Sequence, residues 1–174
     1  MQWVRAELYR HAAELLTPGC RDLDVLEISG TAFQHLLPWR SYTSRWDVDV
    51  CGNPPQYFQQ FDLVVLDQVL EHVAAPHEAL FNVRCMLRPG GRLFVATPFL
   101  IRYHPEPIDM WRWTAPALAQ MFKWAGFVDV ASWSWGNAAC VLANLHDWSP
   151  VPPEGIGEND PRFPVTVWAI GTRK

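Results

Sequence analysis

Three short, almost unbroken apolar runs constrain this chain more than any other feature: Val25-Leu26 with Ile28, Leu63 to Leu66, and the core of Arg92 to Thr97. A strand with one face in water alternates polar and apolar residues. A strand that is apolar at successive positions must be covered on both faces, as in a parallel sheet between helices. The intervening segments carry the matching helical spacings. Trp3, Leu8, Ala12, Leu15 and Leu16 predict an amphipathic helix over 2–16, stopped by Thr17-Pro18-Gly19, and further helices are expected over 32–37, 77–87 and 114–125. The segment 41–51 predicts one or two short strands, read as a hairpin carrying Asp47 and Asp49, and 128–133 and 164–172 predict two more strands. Asn53-Pro54-Pro55 and Arg88-Pro89-Gly90-Gly91 read as turns, and 148–164 as a long loop. Strands alternating with helices give an α/β, Rossmann-like architecture, and 174 residues suit a single domain over 1–174.

Charge and composition remove several classes of function. The net charge is -4 and the chain has only two lysines, so no basic stripe exists to follow a phosphate backbone, and nucleic acid is not an expected partner. No apolar run reaches the roughly 18 residues of a membrane span, and the charged, amphipathic first residues do not read as a signal peptide. Cys20, Cys51, Cys85 and Cys140 lie far apart without a C-x-x-C pair, as expected of a reduced, cytoplasmic protein.

What remains is a rim of polar groups. In open α/β sheets the ligand sits beyond the carboxyl ends of the strands. Here the strands run into Glu27-Ile28-Ser29-Gly30, Asp47 and Asp49, Asp67-Gln68 and Thr97-Pro98. One carboxylate there can orient an ammonium group or brace the glycine turn, another can accept ribose hydroxyls, and a third can accept an adenine amino group. That set suits a cofactor with a base, a sugar and a cationic centre better than a pyrophosphate, which needs G-x-G-x-x-G for close backbone approach.

The stretches "DVLEISG", "FDLVVLDQVLEHV" and "CMLRPGGRLFVATP" resemble the first, fourth and fifth motif blocks of the class I S-adenosylmethionine-dependent methyltransferases, over residues 24 to about 135. "YHPEPIDMWRWT" resembles a stretch after strand five in a subset of that family. The resemblance implies a seven-stranded, mostly parallel sheet with helices on both faces, and S-adenosyl-L-methionine as cofactor. It places Glu27, Ser29 and Gly30 at the methionine end, Asp47 or Trp46 at the ribose, Asp49 with the backbone of Val50 at the adenine, and Asp67 and Gln68 near the sulfur. The family's G-x-G-x-G is reduced to Ser29-Gly30-Thr31.

On the substrate side the candidates are His72, His104, Asp109 and Arg112. His72, just beyond a strand end, is either a base near neutral pH or a brace for the segment after the strand. Arg112 either holds an anionic group bidentately or pairs with Asp109 to stiffen the 104–112 loop. Trp133 and Trp135 either wall a pocket or pack, with Asn137 offering an amide, and Cys140 reads as a buried apolar thiol. Glu71 and His72 with His77 form a poor ligand set by spacing, so no metal is expected. The expected activity is methyl transfer to a small molecule or biosynthetic intermediate. The alternatives are a non-methylating elimination or ring closure on the same scaffold, and a degenerate subunit assembled with an active homologue.

Overall fold

Parity along the strands decides which layer each side chain joins. In the computed structural model, which describes residues 5–52, 56–146 and 155–174, the elements run α1 (Ala6–Leu16), β1 (Asp24–Ile28), β2 (Ser41–Arg45), β3 (Phe61–Asp67), α2 (Pro76–Met86), β4 (Leu87–Pro98), α3 (Ala115–Trp124), β5 (Phe127–Trp135), α4 (Ala138–His146) and β6 (Thr166–Arg173). The sheet order is β2-β1-β3-β4-β6-β5. β1 pairs in parallel with β2 and β3, β3 pairs in parallel with β4, and β6 runs antiparallel between β4 and β5. Leu26, Ile28, Val64, Leu66, Leu93 and Val95 face the layer of α2 and α3, against Leu80, Val83, Leu118 and Phe122. Their alternates, Val25, Leu63, Val65, Phe94 and Ala96, face Leu8, Ala12 and Leu16 of α1 and Cys140 of α4. Both faces are covered, which is why these strands read as continuous apolar runs.

The helix expected over 32–37 is a run of turns. Its local backbone bonds include Gln34 N to Thr31 O (3.2 Å) and Leu36 N to Phe33 O (3.1 Å), and Pro38 prevents continuation. The segment 41–51 holds one strand, and it is no hairpin, because β2 pairs in parallel with β1. Beyond Arg45 the chain turns, with Cys51 N donating to Asp49 Oδ1 at 2.9 Å, so the described residues give six strands rather than seven. Arg88 to Gly91 is a kink inside β4, with Gly90 at φ 79° and a register shift against Phe61 and Leu63. α4 has no counterpart among the expected helices. The α3 boundaries match their signals: Thr114 Oγ1 accepts from Ala117 N at 3.3 Å, and Gly126 follows the helix at φ 85°. All four cysteines are free thiols. No helix among the described residues is long and apolar enough to cross a membrane. Trp3, Asn53 to Pro55 and 148–154 of the long loop lie outside the described residues.

Candidate functional site

The strand order reverses at β1, which has β2 on one side and β3 on the other, so the crevice of a doubly wound sheet opens beyond the carboxyl ends of β1 and β3. Both strands end on a left-handed residue, Ser29 at φ 58° and Gln68 at φ 59°. A non-glycine residue in that region costs on the order of 1 kcal/mol, offset here by Ser29 N donating to Arg45 O (2.7 Å) and Gln68 N to Ala96 O (2.9 Å).

Glu27 shares the parity of Val25, and Asp67 that of Leu63 and Val65, so both carboxylates project toward α1. They meet in a cleft of about 610 Å³ whose walls include Arg5, Tyr9, Ser29 and Gly30. Glu27 is fully buried and accepts from Ala32 N (2.9 Å), Phe33 N (2.8 Å) and the Tyr42 hydroxyl (2.7 Å). Burial raises its pKa, the three donors oppose that, and the Asp67 charge adds to the rise. The two turn amides that a helix after β1 would offer to a phosphate are thereby consumed by a side chain. Gly30 has no room for anything larger: a Cβ there would sit 2.4 Å from Glu27 Oε1.

Asp67, with its side chain 2% exposed, accepts from Tyr9 OH at 2.6 Å and Arg5 Nη1 at 3.1 Å. Burial first, and then Asp67, pushes the Tyr9 hydroxyl well above its ordinary range, so it stays a donor. Arg5 and Tyr9 are absent from the sequence-based candidates; their i, i+4 spacing at the start of α1 puts both on one face, the one signal available for them. Asp47 and Asp49 do not join this cleft lining. Asp47 is exposed and pairs with Arg45 at 3.3 Å, Asp49 closes the turn to Cys51, and the Val50 carbonyl accepts from Asn82 Nδ2 at 3.1 Å. A second hollow of about 450 Å³, lined in part by His77, Phe81, Met121 and Trp124, contains none of the candidates.

The substrate-side candidates gather in a second cluster. Met110 N donates to Glu71 O (3.0 Å) and Trp111 Nε1 to Val73 O (2.8 Å), fastening the loop after β4 onto the Leu70–His72 turn. Asp109 grips Arg112 through both oxygens, one contact at 2.6 Å, and accepts from His104 N at 3.0 Å. Burial raises the Asp109 pKa, but the Arg112 and His104 N–H donors outweigh it and hold the carboxyl below its usual range. The Asp109–Arg112 pair is therefore the loop's brace. His104 packs edge-on against His72, ring centroids 5.0 Å apart, and burial lowers its pKa. Glu71 is fully buried, and neither of its oxygens has a hydrogen-bond partner on another described residue. Burial pushes its pKa up to about 8. Donor atoms of Glu71, His72 and His104 all lie within 4.8 Å of one another, so the fold supplies a set of metal-ligating types that sequence spacing did not reveal.

Asn137 is committed to structure: its Nδ2 donates to Ile156 O (2.8 Å) and Glu158 O (2.9 Å), and its Oδ1 accepts from Cys140 N (2.9 Å) at the start of α4. Trp135 is buried in the α1-side core, with Trp133 packed against it and onto His11. Burial raises the pKa of the Cys140 thiol.

A family model described as "Methyltransferase domain" matches residues 11–132, well over half of the chain. No curated protein matches the sequence. Among solved structures, a Thermotoga maritima S-adenosylmethionine-dependent methyltransferase, a possible histamine N-methyltransferase, superposes with a TM-score of 0.59 at 16% identity, covering 95% of this chain and 89% of its own. The Burkholderia thailandensis 1,6-didemethyltoxoflavin-N1-methyltransferase, solved with its substrate and S-adenosylhomocysteine, gives 0.62 at 14% identity, covering 95% and 78%. The [4+2]-cyclase SpnF gives 0.57 at 13% identity, covering 94% and 80%. At these identities the similarity speaks for the fold.

Proposed function

This chain belongs to the class I S-adenosylmethionine-dependent methyltransferase family, and from that premise we propose that it binds S-adenosyl-L-methionine and methylates a small molecule, such as a biosynthetic intermediate. The observation that carries the reading is the convergence of Glu27, Ser29, Gly30 and Asp67 in one cleft at the reversal point of the sheet. The residues fit the cofactor. Two carboxylates and small hydroxyl side chains suit an ammonium, a sulfonium and sugar hydroxyls, and about 610 Å³ lies within the range of small-ligand sites. When bound, the group supplies a methyl already activated as an electrophile.

The protein's share is placement and proton removal. In this reading Glu27 holds the Ser29-Gly30 turn open for the methionine end, and Asp67 and Gln68 flank the sulfur. Exposed Asp47 serves the ribose, and Asp49 with the Val50 backbone serves the adenine. His72 is the candidate base, while Asp109 and Arg112 shape the loop that presents His104. Calorimetric titration with S-adenosylmethionine and then S-adenosylhomocysteine tests the reading, with micromolar binding of both expected. Absence of binding by either refutes it.

One observation favours a second reading, a non-methylating reaction on the same scaffold. The carboxylate of Asp67 is already engaged by Arg5 and Tyr9, so part of the cleft's polar wall is satisfied from within. Cofactor binding without methyl transfer to any acceptor would move the assignment to this reading.

A further inference from the structure

We propose that Glu71, His72 and His104 form a site for one divalent first-row transition-metal ion, with at least one coordination position left open. The inference stands on geometry and does not depend on methyl transfer; with the ion bound, Nε2 of His72 is a ligand and His72 is no longer the base. Ligand atoms held about 2.1 Å from a common ion lie roughly 3–4 Å from each other. Glu71 Oε1 and His72 Nε2 are 3.7 Å apart, and the whole set falls within 4.8 Å. That separation is too long for a hydrogen bond, so His72 does not satisfy the carboxylate directly.

The carboxylate itself is the second, independent observation. Glu71 is 0% exposed, and no other described residue donates a hydrogen bond to either oxygen. Buried carboxylates are retained where they are paired or bind a cation, because leaving one unpaired costs several kcal/mol. The ring of His72 is oriented to match. Its Nδ1 donates to the carbonyl oxygen of Ile108, which can only accept, and this leaves Nε2 as the ring nitrogen turned toward Glu71. A ligating histidine characteristically donates its other ring N–H to a carbonyl or carboxylate in this way.

The third ligand arrives from a braced loop. His104 is held by its backbone N–H on Asp109, Asp109 by Arg112, and the loop as a whole by Met110 N on Glu71 O. One carboxylate and two imidazoles suit manganese, iron, cobalt or zinc better than magnesium, which prefers an oxygen shell with several waters. Three protein ligands are one short of a closed tetrahedral site, which leaves a position for an oxygen ligand such as water or a hydroxyl.

The test is titration of chelator-stripped protein with Co²⁺, read by visible absorption and calorimetry. One equivalent is expected to bind with a nitrogen–oxygen ligand spectrum. Glu71→Met and His104→Ala should each weaken binding by on the order of 100-fold or more, beyond the 10–100-fold typical of residues that only orient a ligand. His77→Ala, packed on Trp124 away from the cluster, should bind as the parent does. The metal-free Glu71→Met protein should melt at or above the parent temperature, which separates ligand loss from unfolding. His104 is only partly buried, so His104→Ala remains a readable variant if Glu71→Met does not fold. No Co²⁺ binding by the parent, a thiolate spectrum, or binding within tenfold of the parent in either variant would overturn the proposal.

Discussion

Replacing Gly30 with alanine tests how the acid of β1 and the turn after it depend on each other. The new Cβ would stand 2.4 Å from Glu27 Oε1, and an ordinary contact begins near 3.4 Å, so the carboxylate oxygen must withdraw by about 1 Å (3.4 − 2.4). Oε1 accepts from Ala32 N at 2.9 Å, and a shift of that size takes the pair beyond hydrogen-bonding distance. Losing one hydrogen bond to a buried charged group costs about 1.5–3 kcal/mol. For a chain of this size that is a fall in melting temperature of about 3–12 °C, at roughly 2–4 °C per kcal/mol. The assay is a double-mutant cycle by urea denaturation, with Glu27→Ala as the second substitution. Without the carboxylate, Gly30→Ala meets no obstacle, and its cost should fall to within about 0.5 kcal/mol of zero or become a small gain from the stiffer unfolded chain. A coupling of about 1.5–3 kcal/mol is therefore expected. Costs that add to within about 0.5 kcal/mol would refute the contact as the reason for glycine at this position.

Phe33→Ala should destabilise by about 3–5 kcal/mol in the same denaturation assay, because the ring is fully buried against Tyr9 and Phe94. His11 accepts from Trp168 Nε1 at 3.2 Å, and burial lowers its pKa, partly opposed by Glu14 and reinforced by Arg10. A histidine depressed in the folded state contributes stability that is complete above its unfolded value of about 6.5 and is lost as pH falls through the lower folded value. Melting temperatures of the parent should accordingly decline below about pH 6.5 more steeply than those of His11→Leu, and parallel curves would contradict the assignment. Asp49→Ala should weaken S-adenosylmethionine binding in calorimetry, whereas His72→Ala should lower turnover with little change in that affinity; the reverse pattern would exchange their roles.

The strands were legible because burial on both faces leaves its mark residue by residue, as in Leu63 to Leu66. The ends of α3 were legible because Thr114 and Gly126 act on neighbours within the same few residues. Where distant partners decide, the sequence is silent. The turn over 32–37 is held by a carboxylate at the end of β1, and α4 starts at Asn137, whose amide is fixed by a loop about twenty residues later. The nine-residue sequence of α4, "AACVLANLH", shows little periodicity because apolar residues lie on nearly every side of it, exposed Leu142 and Leu145 included. His104 reaches Glu71 only through the loop after β4, and no spacing rule links them. Asp67 was readable as a rim acid; that α1 lends it Arg5 and Tyr9 was not.

That last arrangement makes the leading helix a resident competitor in the cleft proposed to take the cofactor. Any visitor that draws on Oδ2 of Asp67 must displace a phenol and a guanidinium already docked there, so an affinity measured through that oxygen reports a net exchange. Tyr9→Phe, which withdraws one of the incumbents, should tighten cofactor binding, and weaker binding would mean the helix is a clasp that helps hold the guest.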